Sequence, residues 1–105
     1  GGKGANQAVA ARRSGAVVQM VGRVGRDDYG KEMKAFLVQQ GVDVRFVSES
    51  SAHTGIAFIT VDSSAQNSIV VACGANSTWD EFPSFVSIEG EDYVVAQFET
   101  PDEII

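Results

Sequence analysis

The chain has 105 residues, 44% hydrophobic and 21% charged, which fits one domain burying roughly 65% of its unfolded surface and excludes disorder or collagen-like sequence. No apolar run approaches the ~18 residues of a membrane helix, no signal peptide opens the chain, and the lone Cys73 excludes a disulfide scaffold and fits the reducing cytoplasm. The net charge of −6 is split, because all eight Lys and Arg lie between Lys3 and Arg45 and ten acids follow Arg45; without a dense basic face, nucleic acid is a poor partner.

The first element reads as a helix from about Asn6 to Ser14, rich in Ala and stopped by Gly15. Gly1, Gly2 and Gly4 precede it as a loop. Val17 to Val21 is a short, mostly β-branched run suited to a buried strand, broken by Gly22 and Gly25. Asp27 or Asp28 can cap a second helix to about Gln40, with Gly41 as its stop. Tyr29, Met33, Phe36 and Leu37 form its apolar stripe.

Val42 to Val47 alternates like an edge or half-buried strand. Gly55 to Val61 and Ser68 to Cys73 are strand-like runs joined by a polar stretch from Asp62 to Asn67, which predicts a hairpin with a longer loop. Between Ser77 and Asp92 the pattern is ambiguous, since Pro83 would interrupt a helix capped at Ser77 or Thr78. Tyr93 to Phe98 reads as another buried strand. Thr100-Pro101-Asp102-Glu103 is a capping box with proline in the first turn, so it announces a helix. With a glycine loop at one end and a helix start at the other, the chain reads as a slice of a longer α/β protein.

Chemistry concentrates in Gly1 to Ala8. Glycines let backbone approach a ligand, N–H groups at a helix start point outward, Lys3 adds a cation, and Asn6 both donates and accepts. Such a loop suits a polyhydroxyl or anionic ligand. The same residues also fit a plain glycine-rich turn that merely starts a helix. The spacing is not that of a phosphate-binding P-loop. His53 reads as a surface histidine, Cys73 as a buried hydrophobe, Arg12-Arg13 as a solvated face, and no His, Cys or Asp cluster has metal spacing.

Several motifs in order resemble the ribokinase family of sugar kinases, the PfkB-type carbohydrate kinases. Gly1-Gly2-Lys3-Gly4-Ala5-Asn6-Gln7-Ala8 is similar to its first signature. Val21 to Asp27 resembles its "GxVGxD" strand and turn, and Gly30 with the helix to Gly41-Val42 comes next. Thr54 to Ile59 and Asn67 to Val71 resemble two lid strands, Gly74-Ala75-Asn76 the return from the lid, and Gln97 to Pro101 the "QLE" strand end. Gly-Lys-Gly-Ala-Asn with the Thr-Gly pattern resembles ribokinases more than fructokinases or adenosine kinases. Pro83, within a short insert, departs from the regular helix usual in that region.

The resemblance implies an α/β fold: a truncated ribokinase-like domain over 1–105, a partial parallel sheet with helices plus a β-hairpin lid at about 44–73. It implies that Gly2, Lys3, Gly4, Ala5 and Asn6 line the sugar, that Glu99 accepts from a sugar hydroxyl, and that Ala57 and Ile59 close over it. The intact family uses ATP and Mg²⁺ to phosphorylate ribose. Its sugar-binding Asp would precede Gly1, and its "GAGD" and "NxxE" motifs would follow Ile105. No catalytic residue is therefore expected in these residues, and the chain alone is expected to be inactive, with weak ribose binding at most. The alternative is a non-catalytic sugar-binding or oligomerising remnant. A homodimer is expected, through the lid or an open sheet edge.

Overall fold

The structure, a computed structural model, describes residues 2–79, 88–90 and 92–102. Helix α1 spans Gly2–Arg13 and strand β1 Gln19–Gly25. Helix α2 follows at Asp28–Gln39 and strand β2 at Asp43–Ser50. Strands β3, Ile56–Val61, and β4, Asn67–Ala72, precede a 3-10 turn at Gly74–Ser77.

β1 and β2 pair in parallel, with Val21 opposite Phe46 and Gly25 opposite Ser50. A parallel pair needs a crossover, and α2 supplies it. Asp27 caps α2 by accepting from the Gly30 amide, and Gly41 follows its end with a positive φ. One core forms where both helices meet the strands: Ala5, Leu37 and Val42 are buried, with Ala8, Val9, Val18, Met20, Met33 and Val44 around them. The α/β class therefore stands; of the apolar stripe expected on α2, Leu37 and Met33 meet this core, while Tyr29 and Phe36 are exposed.

Three boundaries differ from the sequence expectation. α1 begins at Gly2 rather than Asn6, so Gly2 and Gly4 lie in its first turn instead of a loop. At Gly4 a Cβ would make only ordinary contact with the Met20 and Gln97 side chains. β1 starts two residues after Val17, which is 96% exposed, and it runs through Gly22 and Gly25. Gly25 sits where another segment comes close, against Ala52 to Thr54.

β3 and β4 form a separate antiparallel ribbon with Ile59 opposite Ile69. The ribbon is shorter than the 44–73 span expected for a lid, because Asp43–Ser50 is drawn into the parallel pair. Its connection covers 62–66, as expected, and tightens at its tip. Asp62 and Gln66 close it, and Ala65 takes the left-handed φ of 61° that a three-residue hairpin loop needs. Cys73 is exposed, not a buried hydrophobe.

Tyr93 to Phe98, expected as a buried strand, carries no regular structure, and Tyr93 is 98% exposed. A strand exists by pairing, and no described strand pairs with this segment. Pro83 and most of the helix expected from Thr100 lie outside the described residues. Among the described residues no helix is long and apolar enough to cross a membrane.

Candidate functional site

The first turn of α1 presents Lys3 and Asn6 to solvent, while Ala5 is buried beneath them and can offer a ligand only its backbone. The early N–H groups of a helix have no intrahelical acceptor, so they remain donors. Opposite them lies the segment 97–99. Lys3 Nζ pairs with Glu99 Oε1, although 96 positions separate the two residues. The pair is exposed, with 71% and 54% of the two side chains open to solvent.

A second link fixes this apposition. Gln97 Nε2 donates to Gln7 Oε1 at 2.8 Å, one turn further along α1. Gln97 Cγ also lies 3.8 Å from where a Gly4 Cβ would stand. The Gln97 side chain thus seats the segment 97–99 against the helix. Both glutamines lie in motifs of the sequence, but their pairing across the chain was not legible there.

The expected sugar-contacting residues are therefore gathered in one place. Gly2, Lys3, Gly4, Ala5 and Asn6 share the first turn, and Glu99 faces Lys3. The donor set comprises backbone N–H groups, an ammonium and an amide. Glu99 is a carboxylate and accepts only. Donors and an acceptor at close range match the alternating needs of adjacent hydroxyl groups. Asn6 also borders a shallow groove with Val9, Ala10, Arg13 and Phe36. Arg13 is held there by Gln40 Oε1 at 2.7 Å.

Ala57 and Ile59 lie elsewhere. They share one face of the hairpin with Val71 and Ile69, exposed to solvent. No substantial contact joins β3 or β4 to α1.

At the hairpin root lies an arrangement that sequence reasoning missed. Asp27 reads as a cap and as the end of the Val21 to Asp27 motif, yet its Oδ1 also accepts from Thr54 Oγ1 at 2.6 Å and its Oδ2 from Thr54 N at 2.7 Å. These bonds from Thr54, and then the Gly30 amide, hold the Asp27 carboxyl below its ordinary range. His53 is exposed, with Nδ1 2.8 Å from Thr54 O.

A magnesium ion needs several oxygen ligands at octahedral positions. Among the described residues no group of three His, Cys, Asp or Glu could hold a metal. The donor set of the described residues does not fit that ion.

Comparison with known proteins places these features together. Residues 1–96 match the family described as pfkB family carbohydrate kinase. The chain is 47% identical over 105 residues to a ribokinase of Haemophilus influenzae, covering 96% of this chain and 34% of that protein. It is 45% identical over 112 residues to a ribokinase of Bacillus subtilis, covering 100% of this chain and 37% of that one. The chain thus spans about a third of the length of these relatives. Among solved structures, Arabidopsis thaliana ribokinase complexed with ribose and ATP superposes with a TM-score of 0.71 at 38% identity, over 81% of this chain and 28% of that one.

Proposed function

The chain belongs to the pfkB family of carbohydrate kinases, and on that footing we propose that it forms one side of the sugar site, with its lid, in a ribokinase-like kinase. The acceptor sugar is ribose or a related pentose. The observation that carries this reading is the apposition of Lys3 and Glu99. An exposed ion pair contributes under about 1 kcal/mol to stability. Stability alone therefore gives the pair little purpose, whereas a cation beside a carboxylate suits a row of hydroxyls. The Glu99 carboxylate accepts from one hydroxyl, while Lys3, Asn6 and the α1 N–H groups donate to its neighbours.

The hairpin β3–β4 is the lid in this reading. Ala57 and Ile59 close over the sugar and exclude water, which suppresses transfer of the phosphoryl group to water. Phosphoryl transfer rests on positioning and charge stabilisation. This chain supplies positioning of the sugar, and ATP chemistry belongs to other parts of the enzyme. Residues 1–105 do not turn over ATP alone. The working state is a cytoplasmic homodimer.

Ribose titration followed by amide chemical shifts tests the sugar site. Ribose at millimolar concentration shifts the amides of Lys3, Asn6 and Glu99, and Glu99→Gln weakens the response without lowering the melting temperature. Spectra unchanged by ribose would overturn the sugar site. Ribose-dependent ADP formation by the pure chain would overturn the claim of inactivity. A second reading, an oligomerising unit without sugar binding, is favoured by the apolar side chains exposed on the hairpin. Self-association with no response to ribose would establish it.

A further inference from the structure

The hairpin β3–β4 touches the helices and the parallel pair only slightly, so its root sets its direction. At that root four chain segments converge. Thr54 donates to Asp27 through its amide at 2.7 Å and through its hydroxyl at 2.6 Å. The same hydroxyl accepts from the Gly25 amide at 2.9 Å, at the end of β1. Asp27 in turn holds the Gly30 amide at 2.8 Å, in the first turn of α2. On the outgoing side, the Ala75 amide donates to His53 O at 2.8 Å, so both legs of the hairpin are tied together.

The packing leaves no slack there. A Cβ on Gly30 would lie 2.2 Å from Gly25 O, and one on Gly74 would lie 2.2 Å from His53 O. Helix capping needs only one acceptor for the Gly30 amide. Asp27 offers both carboxylate oxygens, and the extra bonds reach Thr54 alone. The surplus over capping is spent on the hairpin root.

We propose that Asp27 and Thr54 are positioning residues that lock the root of the hairpin to the N-terminus of α2 and so fix the angle at which the hairpin stands. The consequence for sugar closure rests on the reading of the hairpin as a lid; the lock itself does not. Charge-assisted bonds to a carboxylate are the strong ones, and a hydroxyl that both donates and accepts defines one direction. Because the hairpin has little other support, loss of the Thr54 hydroxyl frees its angle while leaving the core of Ala5, Leu37 and Val42 intact.

Spin labels at Ser63→Cys on the hairpin tip and Ala35→Cys on α2, in a Cys73→Ser background, report that angle as a distance. The full chain is expected to give one narrow distance peak. Thr54→Val removes the hydroxyl at nearly constant volume and loses that single peak, while Thr54→Ser retains it. Asp27→Asn preserves a cap for Gly30 but turns one acceptor into a donor, and it broadens the distance as Thr54→Val does. A narrow peak in both Thr54→Val and Asp27→Asn overturns the lock. Loss of the peak in Thr54→Ser as well overturns it too, because bulk rather than the hydroxyl would then be responsible. Unfolding of both Thr54→Val and Asp27→Asn also overturns it, since the contact would then be general glue. Ribose added to the labelled parent decides the lid separately: a shift of its narrow peak supports closure, and no shift overturns the lid reading while the lock stands.

Discussion

Asp27 accepts three hydrogen bonds, two from Thr54 and one from Gly30, and each favours its ionised form. The folded carboxyl therefore titrates below the usual 3.8, with the nearby His53 charge pulling the same way. A group depressed on folding stabilises the fold fully above its unfolded pKa, and that contribution drains away as pH falls through the folded value. Melting temperatures measured between about pH 5 and pH 2 should fall steeply for the parent and less steeply for Asp27→Asn. Equal slopes would remove Asp27 from the account of acid stability. Ala65 is a different local case. It holds the left-handed conformation in the hairpin loop, which costs an L-residue with Cβ about 1 kcal/mol. Asn tolerates this conformation, so Ala65→Asn should raise stability by about 0.5 kcal/mol in urea titrations. Gly30→Ala is the opposite case. Its Cβ would meet Gly25 O, a backbone atom that cannot move aside, and a loss of about 3 kcal/mol in the same titration is expected.

Elements differ in how far sequence alone revealed them. α2 was legible at its ends, where Asp27 caps it and Gly41 follows it, but its expected apolar stripe divides, with Leu37 buried and Tyr29 and Phe36 exposed. α1 and β1 were only partly so, because Gly2, Gly4, Gly22 and Gly25 look like breaks in a string. In the fold Gly25 marks close approach, a property of the neighbour rather than of the glycine. The same limit applies to the candidate site. Lys3, Asn6 and Glu99 were visible through motif resemblance, whereas Gln7 with Gln97 and Asp27 with Thr54 are pairings across the chain that no local pattern encodes. Tyr93 to Phe98 has strand composition without a described partner, which shows that composition sets a preference and pairing decides it. Where a glycine does end an element, the cost of replacing it is conformational. Gly15 has a φ of 99° and open space around its missing Cβ. Gly15→Ala should therefore cost about 1 kcal/mol in denaturant while far-UV circular dichroism keeps its helical signal.

At the scale of the molecule, the charge split resolves into internal pairing. Lys3 meets Glu99, and both Lys34 and Arg26 meet Glu49, so the basic half clasps part of the acidic half. Apolar side chains stay exposed on the hairpin. A two-stranded hairpin is marginal by itself, and this one exposes both of its faces. Ala57, Val71, Ile59 and Ile69 share one face, while Ile56, Ala72, Phe58 and Val70 share the other. The lid reading assigns the Ala57 and Ile59 face to the sugar. The Phe58 and Val70 face, with these side chains 58% and 65% exposed, is then left for a second copy of the chain. Sedimentation velocity should give a dimer for the parent and a single 11.1 kDa chain for Phe58→Lys, with ribose-induced shifts at Lys3 retained. Ile59→Lys should do the reverse, keeping the dimer and weakening the ribose response. If Phe58→Lys remains dimeric, association runs instead through the outer edge of β1, which pairs only with β2 among the described strands. A parent that stays monomeric at high concentration would exclude both surfaces.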